Sequence, residues 1–152
     1  MFDTTTLRPL QQFSFLDMIS QIMWSDDSTM ILVGIHKRGV AYARNVYDQQ
    51  WQCKIDEGMA GLEYCRWAPS SRHILTVSDF RLRMTMWSLT DRTVQYIPLP
   101  KYADKGLDFN FDGRHMALVM KPDEMATDPG QPLSDSISLF RTRSQGQWEC
   151  LH

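Results

Sequence analysis

The chain has 152 residues, with 16 Lys and Arg against 18 Asp and Glu, and 43% of its residues are hydrophobic. That length supports one buried core, and the near balance of charge excludes a broad positive field for nucleic acid. Three cysteines, an odd count, argue against a disulfide framework and for a reducing compartment.

The first residues, "MFDTTTLRPL", lack the basic head and apolar stretch of a secretory signal. "FD" (2–3) reads as the end of a third strand and "LRPLQQF" (7–13) as an orphan fourth, so residues 1–15 are assigned to the last strand of a preceding unit. A phrase then begins that is written three times. Trp24, Trp67 and Phe109, spaced 43 and 42 residues apart, each precede a turn: "SDDS" (25–28), "APSS" (68–71) and "NFDG" (110–113). These are the Ser, Asp, Pro and Gly clusters that favour tight reversals. Each turn leads into a short apolar run, "TMILVGI", "HILTV" or "HMALVM". Runs of this length suit strands buried on both faces better than helices. The longest, "MILVGI", is far short of the ~20 residues of a membrane helix. No membrane partner is expected.

A third strand follows in each copy: "GVAYARN" (39–45), "RLRMTMW" (81–87) and "SISLFR" (136–141). The second of these alternates polar residues with Leu82, Met84 and Met86, the period of a strand. "WQCKI" (51–55), "VQYIPL" (94–99) and "WECL" (148–151) close the copies. The fold class is therefore all-β: four-stranded antiparallel blades spanning 16–57, 58–100 and 101–152, the last with an insertion at 121–135. Four strands in about 42 residues is the period of a β-propeller blade. One small sheet cannot hide both faces, so the second strand of each copy is apolar because neighbouring blades cover it. Trp24, Trp67, Phe109, Trp87 and Phe140 are structural repeat positions on this reading.

The residues of chemical interest point away from catalysis. His73 and His115 hold the same repeat position, and Cys53 and Cys150 are also assigned to equivalent places. No His or Cys spacing suits zinc, and the cysteines read as buried. "GMAG" (58–61) lacks the Lys and helix signal of a phosphate cradle, and "SDD" (25–27) lacks the alternating oxygens of a calcium loop. No cofactor, no metal and no enzymatic activity are expected. Recognition is. In a four-stranded blade the turns "HKRG" (36–39), "SDF" (78–80), "DEGMAG" (56–61), "KYADKG" (101–106) and the 121–135 segment share one end of the array. Lys37, Arg38, Phe80, Arg81, Asp123 and Glu124 are the candidate protein-interaction residues there. They mix charge with an exposed aromatic, as interfaces do.

"MTMWSL" (84–89) resembles the WD-repeat strand that ends in Trp, with "LFRT" (139–142) and "FD" (2–3) in the same slot. Within residues 50–122, "QWQCKIDEGMAGL", "RHILTVSDFRLRMTMWSL" and "DGRHMALVMKPD" resemble centrosomal members of that family. The resemblance implies a propeller scaffold of the cytoplasm and cytoskeleton, at centrosomes or spindle poles. There it would assist microtubule minus-end anchoring, with a coiled-coil centrosomal anchoring protein and a minus-end-directed kinesin as partners. The family often has an Asp six residues before the repeat Trp. Arg81 stands there, so the hydrogen-bonded tetrad built on that Asp is expected to be absent; Arg44 replaces the Trp of the first copy. The alternative is a substrate receptor of a ubiquitin ligase, for which Arg143 in "FRTR" (140–143) has the right offset. Propellers close with roughly four to eight blades. Three and a quarter blades imply a fragment, a truncated and non-functional product, or a subunit whose ring a partner completes.

Overall fold

The computed structural model describes residues 1–122, 134–143 and 147–151. Its regular structure is twelve strands in three antiparallel meanders. The first blade is β1 (Gln21–Trp24), β2 (Met30–Ile35), β3 (Val40–Asn45) and β4 (Gln52–Asp56). The second is β5 (Tyr64–Trp67), β6 (His73–Val77), β7 (Arg83–Ser88) and β8 (Val94–Pro98). The third is β9 (Leu107–Phe109), β10 (His115–Met120), β11 (Ser136–Thr142) and β12 (Trp148–Cys150). Each sheet keeps sequence order, so neighbouring strands within a blade are consecutive in the chain. The protein is a partial β-propeller of three blades.

Side chains of the turns fix the hairpins. Asp27 accepts hydrogen bonds from the Ser25 hydroxyl (2.7 Å), the Thr29 hydroxyl (2.7 Å) and the Thr29 amide (3.1 Å). That carboxylate closes the β1–β2 turn. Asn110 and Asp112 do the same work between β9 and β10.

The core is made of two joints. Met30, Leu32, Ala41, Ala43 and Ile55 of the first blade pack on Cys65, Trp67 and Ile74 of the second. Leu75, Val77, Met84, Met86 and Ile97 of the second pack on Met116, Leu118, Phe140 and Trp148 of the third. Hence β2 and β6 are buried at every residue while β10 is buried at two of six. The middle blade has neighbours on both sides; the third has one among the described residues. Beyond it Ile137 and Leu139 are 66% and 48% exposed. At the other end Phe13 and Phe15 cover Ile31, Val33 and Val46.

Three expectations change. Residues 7–13 do not form a fourth strand; Phe2 and Pro9 make one isolated bridge. The Asp3 carboxylate accepts the Thr5 and Thr6 amides in a tight turn, and the Asp3 and Leu10 amides bond the Arg8 and Met1 carbonyls around that bridge. The third strand of the second copy begins at Arg83, because Asp79–Arg81 form a 3-10 turn. Cys53 and Cys150 are not equivalent: Cys53 pairs with Ala43, one place off the Arg44 that matches Phe140, the partner of Cys150. Accordingly Cys53 is half-buried and Cys150 exposed.

Candidate interaction surface

The turns at one end of the array interlock. Gly39 lies against the Gly58 carbonyl and Gly61, and Gly61 lies against the Asp79 carboxylate. The 36–39, 58–61 and 79–81 turns therefore form one continuous rim. Lys37 and Arg38 belong to a 3-10 turn closed by Gly39 in the left-handed conformation. Arg38 Nε donates to Asp17 at 2.9 Å, and this bond holds the Asp17 carboxyl below its ordinary value.

Phe80 is 81% exposed and has a left-handed backbone (φ 59°), followed by Arg81 (φ 54°). Each such residue costs about 1–2 kcal/mol relative to ordinary conformations. Neighbours hold the pair in place. Lys121 Nζ donates to the Phe80 carbonyl at 3.1 Å, and Arg81 donates to the Lys101 carbonyl at 3.1 Å and lies 3.7 Å from Glu63. Met59 and Leu82 stand exposed on the neighbouring turns. The structure thus brings Lys37, Arg38, Phe80 and Arg81 to one end. Asp123 and Glu124 lie outside the described residues.

A buried polar knot lies beneath this rim. Glu57 is buried, and its carboxylate accepts the Thr76 hydroxyl, Arg83 Nη2 (2.9 Å) and Trp87 Nε1 (3.3 Å). Trp87 Nε1 also donates to the Thr76 hydroxyl at 2.8 Å. Arg81 takes no part in this knot and bonds the Lys101 carbonyl instead, so the tetrad built on an Asp at that position is absent and another network stands in its place. The repeat Trp keeps its network, with the acid supplied by the inter-blade turn rather than by position 81. "CKIDEG" carried this signal: an acid just after an apolar strand and before a glycine turn.

Trp67, Phe109, Trp87 and Phe140 all sit in the joints, whereas Trp24, on the outer side of the first blade, is 45% exposed. Trp67 donates to the Met23 carbonyl across the first joint at 3.3 Å. No group of three or more His, Cys, Asp or Glu among the described residues is placed to hold a metal. Burial pushes the Cys65 thiol up to about 12 and also raises Cys53, the opposite of an activated nucleophile. His73 and His115 approach their own turns, near Ser70 and Asn110 respectively. Arg143 is engaged by Glu149 at 2.5 and 2.7 Å.

No family model matches the sequence. The chain is 46% identical over 121 residues to the WD repeat-containing protein WRAP73 of Mus musculus, covering 80% of this chain and 26% of that protein. Among solved structures, the tricorn protease matches with a TM-score of 0.59 at 12% identity, over 87% of this chain and 13% of that one. A chain of the S. cerevisiae assembly of Dbp5 with Nup159 and Gle1 gives 0.56 at 9% identity, over 97% and 34%. A Bacteroides uniformis chain described as a 6-phosphogluconolactonase gives 0.54 at 14%, over 86% and 39%. These structural likenesses establish the fold alone. The chain spans about a quarter of its curated relative. The identity to that relative and the three blades together support a place for this chain in the WD-repeat family.

Proposed function

We propose that the chain is a non-catalytic protein-interaction scaffold acting at the centrosome or spindle pole body. In this reading it assists microtubule minus-end anchoring and spindle organisation. Its partners are a coiled-coil anchoring protein and a minus-end-directed kinesin. The pole assignment rests on the resemblance of residues 50–122 to centrosomal WD-repeat proteins. The observation that carries the scaffold reading is Phe80: a large aromatic, strained at φ 59° and 81% exposed. Strain held at an exposed aromatic on the same rim as Lys37, Arg38 and Met59 fits a docking surface better than a solvated turn.

Phe80→Asn tests it, because Asn tolerates the left-handed region. The variant should melt at or above the parent temperature, more stable by about 1 kcal/mol, yet lose capture of the coiled-coil partner and recruitment to γ-tubulin foci. Failure of the parent chain to reach those foci, or full recruitment of the variant, would refute the reading.

A further inference from the structure

The two blade joints are closed differently at their outer edge. Between the second and third blades the Gln95 side chain acts as a staple: its amide donates to the Trp148 carbonyl and its oxygen accepts the Trp148 amide at 3.0 Å. Between the first and second blades the equivalent strand position is Cys53. Gln95 pairs with Met86, next to Trp87; Cys53 pairs with Ala43, next to Arg44, which holds the place of Trp87. A thiol cannot make that two-way amide bridge. The outer strands of the first joint stay apart.

The result is a groove of about 460 Å³ between β4 and the β7–β8 hairpin. Its floor is Trp51, Cys53, Ile55, Trp87 and Leu89, all packed on the first joint's core or part of it. Lys54, Arg92 and Val94 stand at its rims, and no carboxylate lines it. Lys54 alternates with Cys53 and Ile55, so its ammonium lies on the other face of β4, where it pairs with Asp56 at 2.8 Å, whereas Arg92 has no ion pair among the described residues. One wall is the outer strand of its blade. The Asn45 amide bonds the Trp51 carbonyl and the Glu57 amide bonds the Gly39 carbonyl. By antiparallel alternation the backbone groups of Gln52 and Lys54 then point away from β3, off the sheet edge.

The geometry points to this groove as a docking site for a short, extended, acidic peptide segment with apolar side chains, supplied by a partner protein. Apolar residues would fill the tryptophan-lined floor, carboxylates would meet Arg92, the free strand edge would supply backbone hydrogen bonds, and alternate acidic side chains of the added strand would lie beside Lys54 on the other face of β4. A segment of about five residues, at ~3.3 Å each, matches the length of β4. The site is separate from the loop rim and goes beyond the scaffold reading. Loss of one leaves the other standing.

The test uses the intact chain and a fluorescein-labelled ten-residue peptide alternating Leu with Glu, followed by anisotropy at low salt. Binding is expected with Kd of roughly 10–100 μM, weakened at least tenfold by Lys54→Glu with Arg92→Glu. Replacing every Glu of the peptide by Lys should have a similar effect. Phe80→Asn should leave it unchanged. With Cys150→Ser in the background, the half-buried Cys53 reports occupancy, and saturating peptide should slow its modification by a thiol reagent at least fivefold. Should the double charge reversal not fold, Arg92→Gln gives the same comparison with an expected loss of about threefold. Equal binding of the acidic and basic peptides, an unprotected Cys53, or no binding at 1 mM peptide would each overturn the proposal.

Discussion

Replacing Glu57 probes whether the buried knot holds the first two blades together. The acid lies in the turn that leaves the first blade, and its partners Thr76, Arg83 and Trp87 all belong to the second. Removing one partner of a buried ion pair costs about 3–5 kcal/mol when the other stays desolvated. Arg83 is 38% exposed in its side chain and stacks over Tyr96 at 4.9 Å, so water would recover part of its loss. Trp87 keeps its bond to Thr76 at 2.8 Å. We expect about 3 kcal/mol for Glu57→Ala and about 1–2 kcal/mol for Glu57→Gln, which keeps the shape but turns a donor toward Arg83. With a urea slope of ~2 kcal/mol/M for a chain of this size, Glu57→Ala should lower the midpoint by about 1.5 M. Arg83→Ala should cost less, because Glu57 keeps its three remaining donors, Thr76, Trp87 and, at 3.5 Å, Thr85. The reasoning fails if Glu57→Ala lies within 0.5 kcal/mol of the parent, or if Arg83→Ala is the more damaging change.

Gly61 has φ 67° and ψ 179°, a region open to glycine alone, and a Cβ there would overlap the Asp79 carboxylate. Gly61→Ala should therefore cost about 2–4 kcal/mol, read as a fall in the thermal midpoint, while Gly58→Ala, with open space around it, should cost less. Burial lowers the His36 pKa below its ordinary 6.5, with Asp79 and Glu63 opposing. Its neutral form thus contributes stability that is complete above pH 6.5 and falls as the pH drops through the folded value. The urea midpoint should decline in that window, and His36→Gln should flatten the decline. Asp27, Asp56 and Glu149 are lowered by hydrogen bonds from Ser25, Lys54 and Arg143 respectively. A second loss should appear on acidification below about pH 4, where these groups take up protons; circular dichroism across pH 5 to 2 would detect it.

Turn chemistry and apolar runs made the blades legible, because both are local: "SDDS", "APSS" and "NFDG" announce hairpins wherever they stand. The loop end was legible too, since the parity of hairpins alone sorts the turns. What escaped was set by partners distant in sequence. Glu57 gains its role from Thr76, 19 residues on, and Trp87, 30 residues on. The start of β7 depends on Phe80 and Arg81 adopting left-handed backbones, which neither residue type advertises. The orphan strand failed for a simpler reason. The Asp3 carboxylate binds the Thr5 and Thr6 amides and turns the chain back, so residues 7–10 meet residues 1–3 at a single bridge instead of running along a blade.

A stacked array is stabilised by nearest-neighbour joints, so what distinguishes one joint from the next also decides where a ligand can enter. Both joints here have apolar centres. The first is tied at its inner edge, where Gln21 donates to the Cys65 carbonyl at 2.7 Å and Trp67 reaches the Met23 carbonyl. Outward of that tie it has Cys53 where the second has Gln95. The second joint is tied at its outer edge by that Gln95 and at its inner edge by Arg66 over the Phe109 ring. A peptide seated in the first groove would add contacts to both walls and supply the outer closure that the sequence withholds. In the second groove it would first have to displace two amide hydrogen bonds, at a cost of about 1 kcal/mol each. The same scaffold thus offers one joint stapled beside a cleft of about 260 Å³ and one unstapled joint with a groove of about 460 Å³, and the residue that decides between them is the second one on the outer strand.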